Sequence, residues 1–346
     1  MSVNHMIANQ EKVAAPPAGA LFDRFGRRHT DLRVSVTDRC NLRCTYCMPE
    51  EVSFRPREEL LTYEEIARVV SVATQQGIRT VRLTGGEPLV RTGLARLVRL
   101  LVALPLLEEV ALTTNGLLLA EQAEELASAG LTRINVSLDS LSPERFVEIT
   151  RRTGLEQVLA GLSRARQCGF RAIRINAVSV RGLTETEIVP LAEFCRAEGF
   201  HLRFIEFMPL DADAAWANES VLTGAAVRQI LEETCGPLVP LAVTDSGQPA
   251  VDYAYADGSG RVGFINPVSQ PFCDRCDRLR LTADGQFQNC LFSQAEWDVR
   301  QVIRSGGDDD QVAQLLAACV RAKQAGHGIG TEQFKRPERA MYQIGG

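Results

Sequence analysis

Between residues 32 and 208 the chain alternates strand-like and helix-like runs, and this alternation limits its possible folds more than any other feature. Strand-like runs occupy 32–37 (LRVSVT), 80–85 (TVRLTG), 109–114 (EVALTT), 133–139 (RINVSLD), 172–180 (AIRINAVSV) and 202–208 (LRFIEFM). Helix-like runs lie between them. The clearest, LTYEEIARVVSVATQQG, offers Thr62 and Glu65 as a capping box, sets Ile66, Val69, Val70 and Ala73 on one face, and stops at Gly77. Strand–helix units in series call for a parallel sheet with helical crossovers. Six units are short of the eight that close a full barrel, so the predicted class is α/β, a partial TIM-like barrel.

After Met208 the pattern changes. A polar linker, DADAAWANES, leads to one helix, short strands near 251–256, 261–266, 278–282 and 286–290, and helices to about 325. This predicts a barrel over 26–224 and a smaller C-terminal α+β domain over 225–346. The first 25 residues lack both an apolar signal core and an Arg-rich transit pattern, and are read as the disordered tail of a cytoplasmic protein. A net charge of −5 argues against a non-specific nucleic-acid binder. No apolar run approaches the roughly 18 residues of a membrane span.

Six of the ten cysteines fall into two trios. Cys168, Cys195, Cys235 and Cys319 stand singly in helix-like stretches and read as small buried apolar residues. The first trio, Cys40, Cys44 and Cys47, lies just past the C-terminal end of the first strand, where parallel α/β folds place their sites. Structural zinc takes four ligands. Three thiolates fit better a 4Fe–4S cluster with one iron left open for a small molecule. The second trio, Cys273, Cys276 and Cys290, is again one ligand short of closure. At both trios, zinc with a remote fourth ligand is the alternative.

The spacing Cys-x3-Cys-x-Tyr-Cys, with Tyr46 as the aromatic residue, resembles the signature of radical S-adenosylmethionine enzymes. In that superfamily the open iron chelates S-adenosylmethionine, which is cleaved by one electron to a 5′-deoxyadenosyl radical. TGGEP at the end of the second strand resembles the motif that holds the cofactor's amino group, with Glu87 offering a carboxylate. With TTNG, VSLDS, FIEFMP, CDRLRLTADG and a terminal GG, the chain from about residue 25 onward resembles the GTP 3′,8-cyclases of molybdenum-cofactor biosynthesis.

That resemblance implies two 4Fe–4S clusters, on Cys40, Cys44 and Cys47 and on Cys273, Cys276 and Cys290, the second binding the guanine through its open iron. It implies S-adenosylmethionine beside Tyr46, Gly86, Glu87, Ser137 and Met208. GTP would meet Arg33, Arg82, Thr113, Arg174, Arg278, Leu279, Arg280, Gly345 and Gly346, with Arg278 and Arg280 among the catalytic residues. Arg174 stands where the family usually has lysine. The implied partners are a reductant such as flavodoxin or ferredoxin and the downstream cyclic pyranopterin monophosphate synthase, with a homodimer left open. A radical enzyme that modifies peptides is the nearest alternative. An electron carrier and a zinc-stapled binding module represent other classes.

Strand parity supports a polar lumen independently. Arg33, Ser35 and Thr37 share one strand face, as do Arg82 and Thr84, Asn135 and Ser137, and Arg174 and Asn176. Unpaired buried guanidiniums are costly, so three arginines inside a barrel call for a polyanion such as a triphosphate. Pairing with a local carboxylate such as Glu206 is the alternative. The chain end, AMYQIGG, is apolar and aromatic before its two glycines; composition alone favours a frayed terminus, whereas the resemblance implies a docked double-glycine tail.

Overall fold

The computed structural model describes residues 19–242 and 247–345. Its strands are β1 (Asp31–Ser35), β2 (Thr80–Thr84), β3 (Glu109–Thr114), β4 (Arg133–Ser137), β5 (Ala172–Ser179), β6 (His201–Glu206), β7 (Leu238–Pro240), β8 (Val251–Tyr255), β9 (Arg261–Ile265), β10 (Arg278–Leu281), β11 (Gln286–Gln288) and β12 (Trp297–Asp298). They form one 12-stranded sheet in the order β12-β11-β10-β1-β2-β3-β4-β5-β6-β9-β8-β7.

The six expected strands run parallel, but the parallel array does not stop with them. β10 joins β1 in parallel and β9 joins β6 in parallel, so eight neighbouring strands run one way. The sheet therefore does not break near residue 224: the C-terminal third extends both edges of the barrel sheet. β7 and β8 on one side, and β11 and β12 on the other, finish it with antiparallel pairs. Among the described residues β12 and β7 do not pair, so the barrel stays open. β7 and β12 escaped sequence reading because three and two residues are too few to show an alternation.

The helix Tyr63–Gln75 starts at the expected capping box: the Thr62 hydroxyl accepts from the Glu65 N–H at 3.1 Å, and the Glu65 carboxylate accepts from the Thr62 N–H at 2.7 Å. Its apolar face, Ile66, Val69, Val70 and Ala73, is fully buried. It packs in one core with Leu32 and Val34 from the outward face of β1. Each such side chain contributes about 1.5–3 kcal/mol on burial. Among the described residues no helix is long and apolar enough to cross a membrane.

Residues 19–25, assigned by sequence to the tail, are folded at their described positions. Leu21 and Asp23 are buried, and Phe22 bridges to Arg28. The expectation for residues 1–18 lies outside the described residues. At the other end, Met341–Ile344 forms a short helix whose Ile344 is fully buried against Leu210, Phe292 and Ile329.

Candidate active site

The first trio sits on a loop anchored at both sides. The N–H groups of Arg43 and Thr45 donate to the carbonyls of Thr150 and Ile149 at 3.0 and 2.9 Å, and those of Cys47 and Met48 to the Cys44 carbonyl at 2.9 and 3.0 Å. Burial pushes the Cys40 thiol up to about 11 and the Cys47 thiol to about 12, and raises Cys44 well above its ordinary value; neighbouring acidic groups add to this. Thiolates become favourable there only against strong positive charge, which is what iron supplies. Among the described residues, no three His, Cys, Asp or Glu side chains converge as ligands of one metal ion. Three cysteines on one loop, without a fourth ligand beside them among the described residues, are the donor set of a 4Fe–4S cluster with one open iron.

Gly85 and Gly86 have a packing reason of their own. A methyl group at either would stand 2.6 Å from a carbonyl oxygen of the loop leading to Cys40, that of Thr37 and that of Arg39 respectively. The Gly86 and Glu87 N–H groups donate to those same carbonyls at 2.7 and 2.8 Å. Glu87 also has a structural role. Its carboxylate is buried and accepts from the Leu89 N–H (2.9 Å), the Thr114 hydroxyl (2.7 Å) and the Asn115 N–H (2.6 Å). Burial raises it to about 7 although these donors oppose the shift. These three bonds tie β2 to β3 beneath the loop and leave one acceptor site on Oε2 open.

Tyr46 donates its hydroxyl to Asp139 Oδ2 at 2.5 Å, and Asp139 Oδ1 accepts from the Val178 N–H at 2.7 Å. Sequence reading missed Asp139, although the motif VSLDS contains it. Ser137 ends β4, Thr113 lies near the end of β3 and Met208 follows β6, all at the C-terminal ends of the parallel strands with the first trio.

The second trio belongs to the other end. Cys273 and Cys276 flank a turn just before β10, whose Arg278 is in register with Asp31 at the start of β1. Cys40 lies beyond the end of that same strand, so the trios flank opposite ends of the β10–β1 pair. Arg278 Nη2 and Lys323 Nζ lie 3.6 and 3.5 Å from the Cys276 sulfur. Burial pushes Cys276 up, but these two cations outweigh it and bring the thiol down to about 6.

Arginines line the sheet between the trios. Register places Arg33 beside Arg82 and Arg280, and Arg174 beside Asn135. The buried Nε atoms of Arg33, Arg82 and Arg278 have no partner. Burial, then repulsion from Arg82, Arg280 and Arg278, holds Arg33 well below its ordinary value, and burial first also lowers Arg174 and Arg280 to about 10. Glu206 does not neutralise this array through an ion pair. Its buried carboxylate accepts from the N–H groups of Val268 and Ser269 at 2.9 Å and of Gly224 at 3.2 Å, and from the Ser269 hydroxyl.

Two further arginines were missed. Arg133 pairs with Glu109 at 2.6 Å and Arg203 with Asp252 at 3.1 Å. Arg133 shares strand parity with Asn135 and Ser137, a signal present in the sequence. Leu279 needs a correction. Lying between Arg278 and Arg280, it faces the other way, fully buried in the core in register with Leu32. Only its backbone can serve a lumen ligand.

The tail reaches this site. Gly345 has φ +88°, its carbonyl accepts from Arg280 Nη1, and a methyl group on it would stand 2.9 Å from Thr84 Cγ2 and 3.0 Å from Ser35 Cβ. Gly346 lies outside the described residues.

Residues 34–195 match the Radical SAM superfamily model and residues 200–329 match Molybdenum Cofactor Synthesis C. A GTP 3′,8-cyclase from Rhodopirellula baltica is 49% identical over 331 residues, covering 94% of this chain and 92% of that one. A GTP 3′,8-cyclase from Mycolicibacterium smegmatis is 46% identical, covering 96% and 93%. Among solved structures, Streptococcus suis SuiB bound to S-adenosylmethionine shares the fold at a TM-score of 0.63 and 15% identity, over 91% of this chain and 77% of that one. The sequence relatives favour the cyclase over the peptide-modifying alternative. With that identity over nearly its whole length, the chain belongs to the GTP 3′,8-cyclase family.

Proposed function

We propose that this chain joins C3′ of the ribose of GTP to C8 of its guanine, giving 3′,8-cyclo-7,8-dihydro-GTP, the first step of molybdenum-cofactor biosynthesis. The observation that carries the reading is the arginine-lined sheet between two three-thiolate sets, each one ligand short of closure.

Cys40, Cys44 and Cys47 would hold the first 4Fe–4S cluster, with S-adenosylmethionine beside Tyr46, Gly86, Ser137 and Met208. Bound there, the cofactor supplies the radical that abstracts hydrogen. Asp139 fixes the Tyr46 ring, and Glu87, which ties the strand ends together under the loop, offers its remaining acceptor site to the cofactor's amino group. Arg33, Arg82 and Arg174 bind the triphosphate, because it supplies the anionic oxygens their buried guanidiniums lack. Thr113 donates from the strand end. Arg278 and Arg280 face the same space, with Leu279 contributing backbone alone. Cys273, Cys276 and Cys290 hold the second cluster near the guanine. Gly345, with Gly346 after it, closes the site and excludes water. The electron donor would be a low-potential carrier such as flavodoxin or ferredoxin, and the product would pass to cyclic pyranopterin monophosphate synthase in the cytoplasm. We keep the division into a barrel over 26–224 and a second-cluster region over 225–346 as a functional one.

Nucleotide binding tests the lumen assignment. A charge-assisted hydrogen bond is worth roughly 1.5–3 kcal/mol, so Arg82→Ala should weaken GTP binding about tenfold to a hundredfold. Guanosine, which lacks phosphates, should bind both proteins equally poorly. Wild-type GTP affinity in Arg82→Ala would remove this residue from the substrate site.

A further inference from the structure

The second trio is braced by a segment that precedes the barrel. Residues 21–29 fold back on themselves across the Phe22–Arg28 bridge, the Asp23 N–H donating to the Arg27 carbonyl at 3.1 Å and the His29 N–H to the Leu21 carbonyl at 2.9 Å, and Arg27 reaches from them to the Cys273 loop. Its Nη1 donates to the carbonyls of Cys273 at 2.5 Å and Ala325 at 3.0 Å, and its Nη2 to the Gln324 carbonyl at 2.6 Å. Its Nε donates to Asp23 Oδ2 at 2.6 Å. Asp23 is itself held by the N–H groups of Phe25 and Arg27 at 2.9 and 3.0 Å, and its Oδ2 lies 3.2 Å from the His29 ring nitrogen. Arg27, Asp23 and His29 are all buried.

The carbonyl that Arg27 grips is a consequential one. Cys273 O also accepts from the Cys276 N–H at 3.3 Å, the bond that closes the Cys-x2-Cys turn. Fixing that oxygen fixes the spacing of two ligands. The carbonyls of Gln324 and Ala325 directly follow Lys323, whose Nζ lies 3.5 Å from the Cys276 sulfur and 2.8 Å from the Arg278 carbonyl. One guanidinium thus binds two segments that lie 246 to 298 residues further along the chain. Only a planar fork reaches three carbonyls and a carboxylate at once; a lysine ammonium is a point donor.

We propose that Arg27 is a positioning residue for the second cluster, holding the Cys273–Cys276 turn and the Lys323 segment in the arrangement that the cluster's ligands require. The inference rests on the reading of Cys273, Cys276 and Cys290 as cluster ligands. Groups that orient metal ligands in this way typically change metal retention ten- to a hundredfold when removed.

The test uses full-length wild type, Arg27→Met and Arg27→Lys, each reconstituted anaerobically with iron and sulfide. Iron release to a ferrous chelator is followed in time, with electron paramagnetic resonance of the reduced proteins to identify which cluster is lost. In Arg27→Met, about half of the iron should leave about ten- to a hundredfold faster than in wild type, with the second cluster's signal disappearing in step. The other half should leave at the wild-type rate. Arg27→Lys keeps the charge but not the fork, so it should show the same selective loss at a smaller factor. If Arg27→Met does not fold, the lysine variant decides by the same criterion. Faster release from both clusters alike, as general loosening of the fold would give, overturns the proposal, and so does unchanged release. Wild type that binds only about four irons would overturn the reading of the second trio instead, and that is visible before any variant is compared.

Discussion

Replacing Gly345 with alanine probes the tail's part in the reaction with a single methyl group. The residue has φ +88°, in the left-handed region, where a side chain costs about 1–2 kcal/mol. The new Cβ would also stand 2.9 Å from Thr84 Cγ2 and 3.0 Å from Ser35 Cβ, both on barrel strands that cannot easily retreat. The tail must therefore move by several tenths of an ångström or swing out. Either motion weakens the bond from Arg280 to the Gly345 carbonyl, worth roughly 1.5–3 kcal/mol as a charge-assisted contact. Together these amount to about 3 kcal/mol against the docked tail, about a hundredfold in the ratio of docked to undocked. Cyclic product formation should fall on the order of tenfold to a hundredfold. The assay is anaerobic turnover with the cyclic product and 5′-deoxyadenosine quantified from the same samples. Cofactor cleavage should continue while product lags behind it, because the three cysteines and the bonds that anchor their loop to Ile149 and Thr150 are unchanged. Gly345→Ala that cyclises GTP at the wild-type rate would show the tail to be ordinary surface.

Two further expectations concern the cysteines and pH. Cys44→Ser should abolish 5′-deoxyadenosine formation, whereas Cys276→Ser should block GTP conversion and leave the first cluster's iron in place; tightly bound zinc in anaerobically prepared protein would contradict both. His29 is held neutral, down to about 4 from an ordinary 6.5, by burial and then by the Lys323 charge, against the opposing pull of Asp23. A depressed histidine contributes stability that is complete above the unfolded value and is lost as pH falls from 6.5 toward 4. Between pH 7 and pH 5 the loss should be about 2 kcal/mol, read as a shift in urea midpoint, and His29→Gln should flatten it.

How far the sequence reveals this site depends on whether the information is local. Arg33 and Arg82 were legible because strand parity assigns each residue a face, and the same rule puts Leu279 in the core, as register with Leu32 confirms. Arg133 obeyed that rule and was overlooked. The docking of Gly345 was not legible from composition, which favours a frayed end; it rested on the resemblance. What was not legible is long-range pairing. Nothing near residues 261 or 278 says that β9 and β10 will extend the parallel array at opposite edges, because parallel partners are set by packing across the whole barrel. Residues 19–25 look like tail for a similar reason: Asp23 is held by Arg27, whose other partners, Cys273, Gln324 and Ala325, lie far along the chain. The structural bonds of Glu87 were not legible either, because its partners Thr114 and Asn115 lie at the end of another strand.

The central claim, that this chain cyclises GTP by removing hydrogen from C3′, is tested most directly with GTP deuterated at that carbon. Purified protein is reconstituted anaerobically and incubated with S-adenosylmethionine, dithionite and the labelled nucleotide, and both products are examined by mass spectrometry and nuclear magnetic resonance. The account predicts a product isomeric with GTP in which C3′ is bonded to C8, together with 5′-deoxyadenosine that has gained the deuterium. Unlabelled 5′-deoxyadenosine beside unchanged GTP would contradict it.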